Sequence, residues 1–278
     1  MRACFTSDLH GNEHLYEQLD KLVADRRPDL LILGGDLCPD ADDDDPVGTQ
    51  VAYFEEILHP RMLRWLERSS ALRVALIAGN HEWLCTAHAM QDSASNPRIL
   101  FPTLDMIDCD AFAIAGYSNT PPTPYHVKDF ERLDSADDHA NGEEAYFWDD
   151  EERVVMRIAA KDYFAARPTI AEDLAGLRPP RKPWLFVCHA PPLNSALDRL
   201  PHVPHPVGSR SVRACIEATR PAVTLHGHIH ESPQVTGRFL DQVRQTLCIN
   251  PGQNDVELHA VLFDVERPGQ RLRHTVFG

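Results

Sequence analysis

Asp8 with His10, Asp36, Asn80 with His81, His189, and His228 with His230 carry side-chain types and spacings suited to metal chemistry. Aspartate, neutral imidazole and an amide oxygen are together the donor mix of borderline divalent metals such as Mn, Fe or Zn. Thiolate is absent from the set, which disfavours a structural zinc site. Alternate side chains on an extended segment point the same way, so Asp8 and His10 can face one site, as can His228 and His230. Asp36 ends the run Leu30-Leu31-Ile32-Leu33-Gly34-Gly35, where two glycines let the backbone turn tightly. Its two carboxylate oxygens suffice to bridge two cations. Two ions about 3.5–4 Å apart, bridged in this way, clamp a phosphoryl group for in-line displacement and lower the pKa of a bridging water towards neutrality.

Each of these residues follows an apolar run that reads as a strand. Residues 2–6 precede Asp8, 30–33 precede Asp36, 73–78 precede Asn80, 184–187 precede His189 and 221–225 precede His228. A helix over 12–25, with Leu15, Leu19, Leu22 and Val23 at helical spacing, completes a β-α-β opening. Such an opening implies parallel strands and an α/β core, with ligands gathered at the strands' carboxyl ends. Further helices are expected over 51–68 and from Ser209, as N-cap, to about 219. Paired strands are expected between 99 and 116 around Asp108-Cys109-Asp110. The runs 245–249, 258–265 and 271–277 read as antiparallel strands, with Asn250-Pro251-Gly252 turning between the first two. The stretch 117–183 differs: proline-rich at Pro121, Pro122 and Pro124, then polar and acidic, with a helix expected at about 151–166. The expected organisation is one domain over 1–278, with 117–183 inserted over one end of the sheet.

Length and composition fit a soluble globular chain: 278 residues, 43% hydrophobic and 25% charged. The longest apolar runs fall short of the roughly 18 residues of a membrane span. No signal peptide is read at the start, and seven cysteines without a CxxC pair read as free thiols, so a cytoplasmic location is expected. A net charge of −15 argues against a grip on long nucleic acid, but leaves room for a small phosphorylated substrate beside bound cations. A homo-oligomer is left open. The acidic run Asp40, Asp42, Asp43, Asp44 and Asp45 lacks the spacing and turn glycine of a calcium loop and reads as a solvated loop.

The motifs Asp8-Leu9-His10, Gly35-Asp36-Leu37-Cys38, Gly79-Asn80-His81-Glu82, His189 and Gly227-His228-Ile229-His230 resemble, in order, the five blocks of the calcineurin-like metallophosphoesterases. The resemblance spans roughly 3–230. It implies a four-layer α-β-β-α sandwich with a dinuclear metal site. It also implies that Asp8, His10, Asp36 and His230 hold one ion, and Asp36, Asn80, His189 and His228 the other. His81 would stay off the metals, contact the phosphate and protonate the leaving oxygen, a role its ordinary pKa near 6.5 suits. Cys38 departs from the aspartate of many members, at a position that is not a ligand. The texture around Cys188-His189-Ala190-Pro191-Pro192, Asp198, Gly208-Ser209, Glu231 and Asn250-Pro251-Gly252 resembles the bacterial and archaeal branch related to cyclic-nucleotide phosphodiesterase.

The resulting expectation is a two-metal hydrolase of a small phosphodiester, cyclic or linear and nucleotide-like. The alternatives are a phosphomonoesterase or nucleotidase on the same site, and a non-catalytic interaction module of the same fold. Glu82 and Glu231 read as partners orienting histidines. His126 and His139 read as surface residues, His202 and His205 as loop residues with some reach to substrate, and Cys38 and Cys188 as small core residues. Lys128, Arg132 and Lys161 are candidate cations for substrate selection.

Overall fold

The strands nearest the motifs are short, apolar and buried on both faces. In β1 (Arg2–Thr6), β2 (Leu30–Leu33) and β3 (Arg73–Leu76), Ala3, Phe5, Leu30, Ile32 and Ala75 face one way, while Cys4, Leu31, Leu33, Val74 and Leu76 face the other. This is the period of two that an extended chain imposes. The computed structural model describes residues 1–40, 45–140 and 142–278. Asp42, Asp43 and Asp44 of the acidic run lie outside the described residues.

One sheet runs β14 (Arg273–His274), β13 (Val261–Asp264), β1, β2, β3, β4 (Ile99–Leu100), with β1 to β4 parallel. The other runs β11 (Leu240–Val243), β12 (Thr246–Ile249), β10 (Val223–Leu225), β9 (Trp184–Cys188), β6 (Ala113–Tyr117), β5 (Ile107–Asp108). Its middle strands are parallel and its edges antiparallel. Phe5, Ile32 and Phe263 of the first sheet meet Ile114, Val187, Leu225 and Ile249 of the second in a shared core. The first sheet's outer face is covered by α1 (Glu13–Arg26), a π-helical turn (Phe54–Leu58), α3 (His59–Arg68) and α4 (Leu84–Ser93). The second sheet's outer face carries α6 (Ile170–Ala175) and α7 (Arg210–Thr219). Helix, sheet, sheet, helix is the order of layers.

Three expectations change. The helix expected at 151–166 is a strand in its first half and helical in its second: β8 (Val154–Ala159) pairs antiparallel with β7 (Glu144–Asp149), and α5 (Ala160–Ala165) follows it. The β-branched pair Val154-Val155 prefers this pleated surface. The run 245–249 is β12, parallel to β10 in the second sheet, with β11 as its unforeseen antiparallel partner. Asn250-Pro251-Gly252 therefore is no hairpin turn; it leads the chain from the second sheet towards β13 in the first. The helix expected at 51–68 starts earlier, at α2 (Pro46–Tyr53), capped by Asp45 accepting from the Gly48 N–H, and runs through the π turn into α3.

Candidate metal centre

The segments after β1 and β2 are laced together before any side chain is considered. The amides of Asp8, His10 and Gly11 donate to the carbonyls of Gly35, Asp36 and Leu37 at 2.9–3.0 Å. Asp8, His10, Asp36 and His228 sit at φ of +58°, +44°, +52° and +64°, the left-handed region that non-glycine residues seldom occupy. Such strain persists only where surroundings over-determine it. For Asp36 the restraint comes from Glu82, which is fully buried. Its Oε1 accepts from Leu37 and Cys38, and its Oε2 from Asp36 and Gly79, at 2.6–3.0 Å. The space is also tight enough to require glycine. A Cβ on Gly79 would collide with Asp36 Oδ1, and one on Gly227 with Ser7 Oγ.

Within this frame the donors converge from both sheets. His189 donates its Nδ1–H to Gly34 O at 2.8 Å, which turns Nε2 toward Asp36 Oδ2, 3.1 Å away, and Asp8 Oδ1, 3.9 Å away. His228 places its ring Nδ1 2.7 Å from Asn80 Oδ1 and donates its backbone N–H to Asp8 Oδ1 at 2.8 Å. Donor atoms of Asp8, His10 and Asp36 gather within 4.8 Å of one another, as do those of Asp36, His189 and His228. Asp36 belongs to both groups. Asp8 Oδ2 and His189 Nε2 are buried without a hydrogen-bond partner, which is costly unless something else occupies them. Orphaned oxygen and nitrogen donors in a cradle closed by glycines fit divalent cations.

Charge follows the same geometry. Burial opposes the charge on His189, yet the Asp36 and Asp8 carboxylates lift its imidazole to about 9. Burial likewise opposes ionisation of Asp36, but His189 and His81 hold its carboxyl well below the usual range. Burial and the neighbouring His189 push His228 down to about 3. Buried carboxylates of this kind attract positive charge, and divalent cations would engage both Asp8 Oδ2 and His189 Nε2.

A family model described as calcineurin-like phosphoesterase matches residues 1–232. The chain belongs to that family, whose members hydrolyse phosphoesters with divalent metal ions. Among solved structures, one crystal structure aligns at a TM-score of 0.64 and 17% identity, covering 100% of this chain and 99% of the other. The Thermus thermophilus protein TT1561 aligns at 0.57 and 14% identity, covering 100% and 99%. An archaeal protein described as a novel phosphodiesterase aligns at 0.41 and 13%, covering 99% and 98%. No curated protein sequence matches the chain. At these identities the first two likenesses establish the fold alone.

In this phosphoesterase the remaining expected residues fall unevenly around the centre. His230 is 40% exposed, stands 3.7 Å from Glu231 and 6.1 Å from His10 ring to ring, and lies outside the compact donor groups. His81 approaches the centre through its backbone, whose N–H donates to Asp36 Oδ1 at 2.9 Å, while its ring meets His10 edge-on at 4.9 Å. Sequence reasoning missed the partner of His81. Asp40 accepts from His81 Nδ1 at 2.6 Å and lies 3.7 Å from His10 Nδ1. Burial works against a charge on His81, but Asp36 and hydrogen-bonded Asp40 raise its pKa to about 9. Asp40 was hidden in the acidic run; its only sequence signal is its place four residues beyond Asp36.

Glu82 grips backbone amides of the motif loops, where orientation of a histidine was expected. Glu231 does stand beside a histidine, His230. Of the candidate cations, Lys128 is buried, spending its charge on Glu131 and the Thr123 carbonyl, and Arg132 binds the carbonyls of Asp129 and Glu131. Lys161 lines a separate cavity with His139. His126 lines the cleft beside His81, whereas His202 and His205 are exposed in their loop. Ser209 caps α7 through the Val212 N–H and is held by Asp134. Cys38 and Cys188 are buried free thiols with raised pKa values, as core residues would be.

Proposed function

We propose that the chain is a two-metal phosphodiesterase acting on a small substrate. The observation that carries the reading is Asp36, whose carboxylate serves both donor groups at once. Asp8, His10 and His230 would join it around one ion, and Asn80, His189 and His228 around the other. Bound, the two ions would polarise the phosphoryl group and acidify the attacking water.

The chain's own residues do the rest. Asp40 holds His81 at Nδ1, so the Nδ1–H is committed and Nε2 is the nitrogen that faces substrate. Raised to about 9, the imidazole carries its proton at neutral pH and can deliver it to the leaving oxygen. Glu82 and the glycines fix the loops, so the donors are set before substrate arrives. Preference for a diester is supported by the branch resemblance and by the −15 net charge, which disfavours the more highly charged monoester.

The test is hydrolysis of bis-aryl against mono-aryl phosphate by apo protein reloaded with Mn²⁺. A clear diester preference is expected; a monoester preference would replace the reading with a phosphomonoesterase. Asp36→Asn should lose both bound ions and turnover while keeping its circular dichroism spectrum.

A further inference from the structure

A cleft of about 1030 Å³ opens directly beside His81 and Asn80, walled on its far side by the β7–β8 hairpin. Strand periodicity explains the wall. Tyr146 and Trp148 share one face of β7, and Val155, paired with Trp148, lies on the same face of β8. The other face of β7 supplies Ala145 and Phe147 to a small core with Tyr163 and Phe164. Tyr125 closes the cleft toward the metal centre, its ring 4.8 Å from that of His81. Tyr125, Val154 and Val155 are 56%, 45% and 37% exposed, large apolar surface left uncovered in a concave, aromatic setting. Arg153 is the one lysine or arginine among the described lining residues.

The wall is rigidly fixed. Asp129, nearly buried, accepts the Trp148 N–H at 3.0 Å and the Leu84 N–H at 2.9 Å, tying the hairpin to the start of α4, just beyond the Asn80-His81 loop. The Lys128 N–H donates to Tyr146 O at 2.8 Å, and the Tyr146 N–H to His126 O at 3.0 Å. The buried Lys128–Glu131 pair holds the turn that carries Tyr125. The aromatic surface is therefore positioned relative to His81 before any ligand binds.

We propose that this cleft receives a planar aromatic group carried by the leaving alcohol of the substrate, stacked among Tyr125, Tyr146 and Trp148. The inference rests on the role of His81 proposed above: the oxygen it protonates bears the leaving group, and the cleft begins at His81. A flat π-surface gains from aromatic walls what a puckered aliphatic ring of equal size does not.

Benzylphosphonate and cyclohexylmethylphosphonate separate the two cases. They share a phosphonate head, resist hydrolysis and differ in the planarity of the ring. Binding to the Mn²⁺-loaded protein is measured by titration calorimetry and by tryptophan fluorescence, with methylphosphonate as reference. Benzylphosphonate should bind about tenfold more tightly than the cyclohexyl analogue, the order expected for one aromatic stack. Trp148→Ala, and the milder Val155→Ser, should shrink that ratio toward one. Equal affinities in the parent protein, or a ratio unchanged by both variants, would overturn the proposal. Failure of the hydrolase reading is seen separately, as absence of turnover of any phosphate ester by the same metal-loaded sample.

Discussion

At the scale of single residues, Asp40 and His81 form the pair whose replacement is most informative. Asp40→Asn keeps size and removes the charge that holds the His81 Nδ1–H and that, after Asp36, lifts its pKa. A partner acting through another side chain is worth roughly 10- to 100-fold in activity. Asp40→Asn should therefore lower kcat by about that factor, most strongly for substrates with poor leaving groups, because His81 then protonates less at neutral pH. Metal content measured by mass spectrometry should stay at the parent level, whereas Asp36→Asn empties the site. The candidate donors, each one to five residues past an apolar run, could be picked out from sequence, and all but His230 converge in the fold. Asp40 was not legible, because one useful carboxylate among five neighbours carries no local mark.

At the scale of elements, the motif loops depend on one buried carboxylate. Each Glu82 oxygen accepts two backbone N–H groups, so a neutral amide would turn an NH₂ against two donors. Burying donors without acceptors costs about 1–3 kcal/mol per group. Glu82→Gln is expected to destabilise the fold by about 3 kcal/mol, read as a lower denaturant midpoint, and to weaken metal binding because Asp36 loses the hydrogen bond that holds its left-handed backbone. The hairpin shows the opposite kind of legibility. Residues 151–166 mix charged, alanine and β-branched positions, and no local rule chooses helix over strand. The choice is made by pairing across a short turn with β7, itself anchored at Trp148 by Asp129 nineteen residues upstream, so the aromatic cleft could not be seen from residues 151–166 alone.

At the scale of the molecule, the placement of β12 was misjudged for a similar reason. An apolar run specifies a buried strand but not which sheet takes it, and here the second sheet does. That placement brings Pro251 to a cluster of buried rings. His274 donates Nε2–H to Pro251 O at 2.9 Å and accepts the N–H groups of Val276 and Phe277 at Nδ1, beside His259 and Phe239. Burial, reinforced by His259, lowers the His274 pKa to about 4, and burial lowers that of His259 as well. Below pH 6.5 the unfolded chain takes up protons that the native imidazole refuses until about pH 4. Stability should thus fall as pH drops across that window, by up to about 3 kcal/mol for His274. Melting temperatures at pH 7 and pH 4.5 should differ less in His274→Gln than in the parent chain; an equal difference would remove His274 as the cause.

The donors also belong to two separate stretches of chain. Asp8, Asp36 and Asn80 come with the first sheet and His189 and His228 with the second, and the His228–Asn80 bond joins positions 148 apart. Neither stretch holds a complete set, so ions have no home until both sheets have docked. A cation held there would rivet the seam late, after the barrier to folding is crossed. Removing metal should leave the refolding rate in stopped-flow experiments nearly unchanged and speed unfolding, so that the loaded protein is long-lived chiefly because it opens slowly.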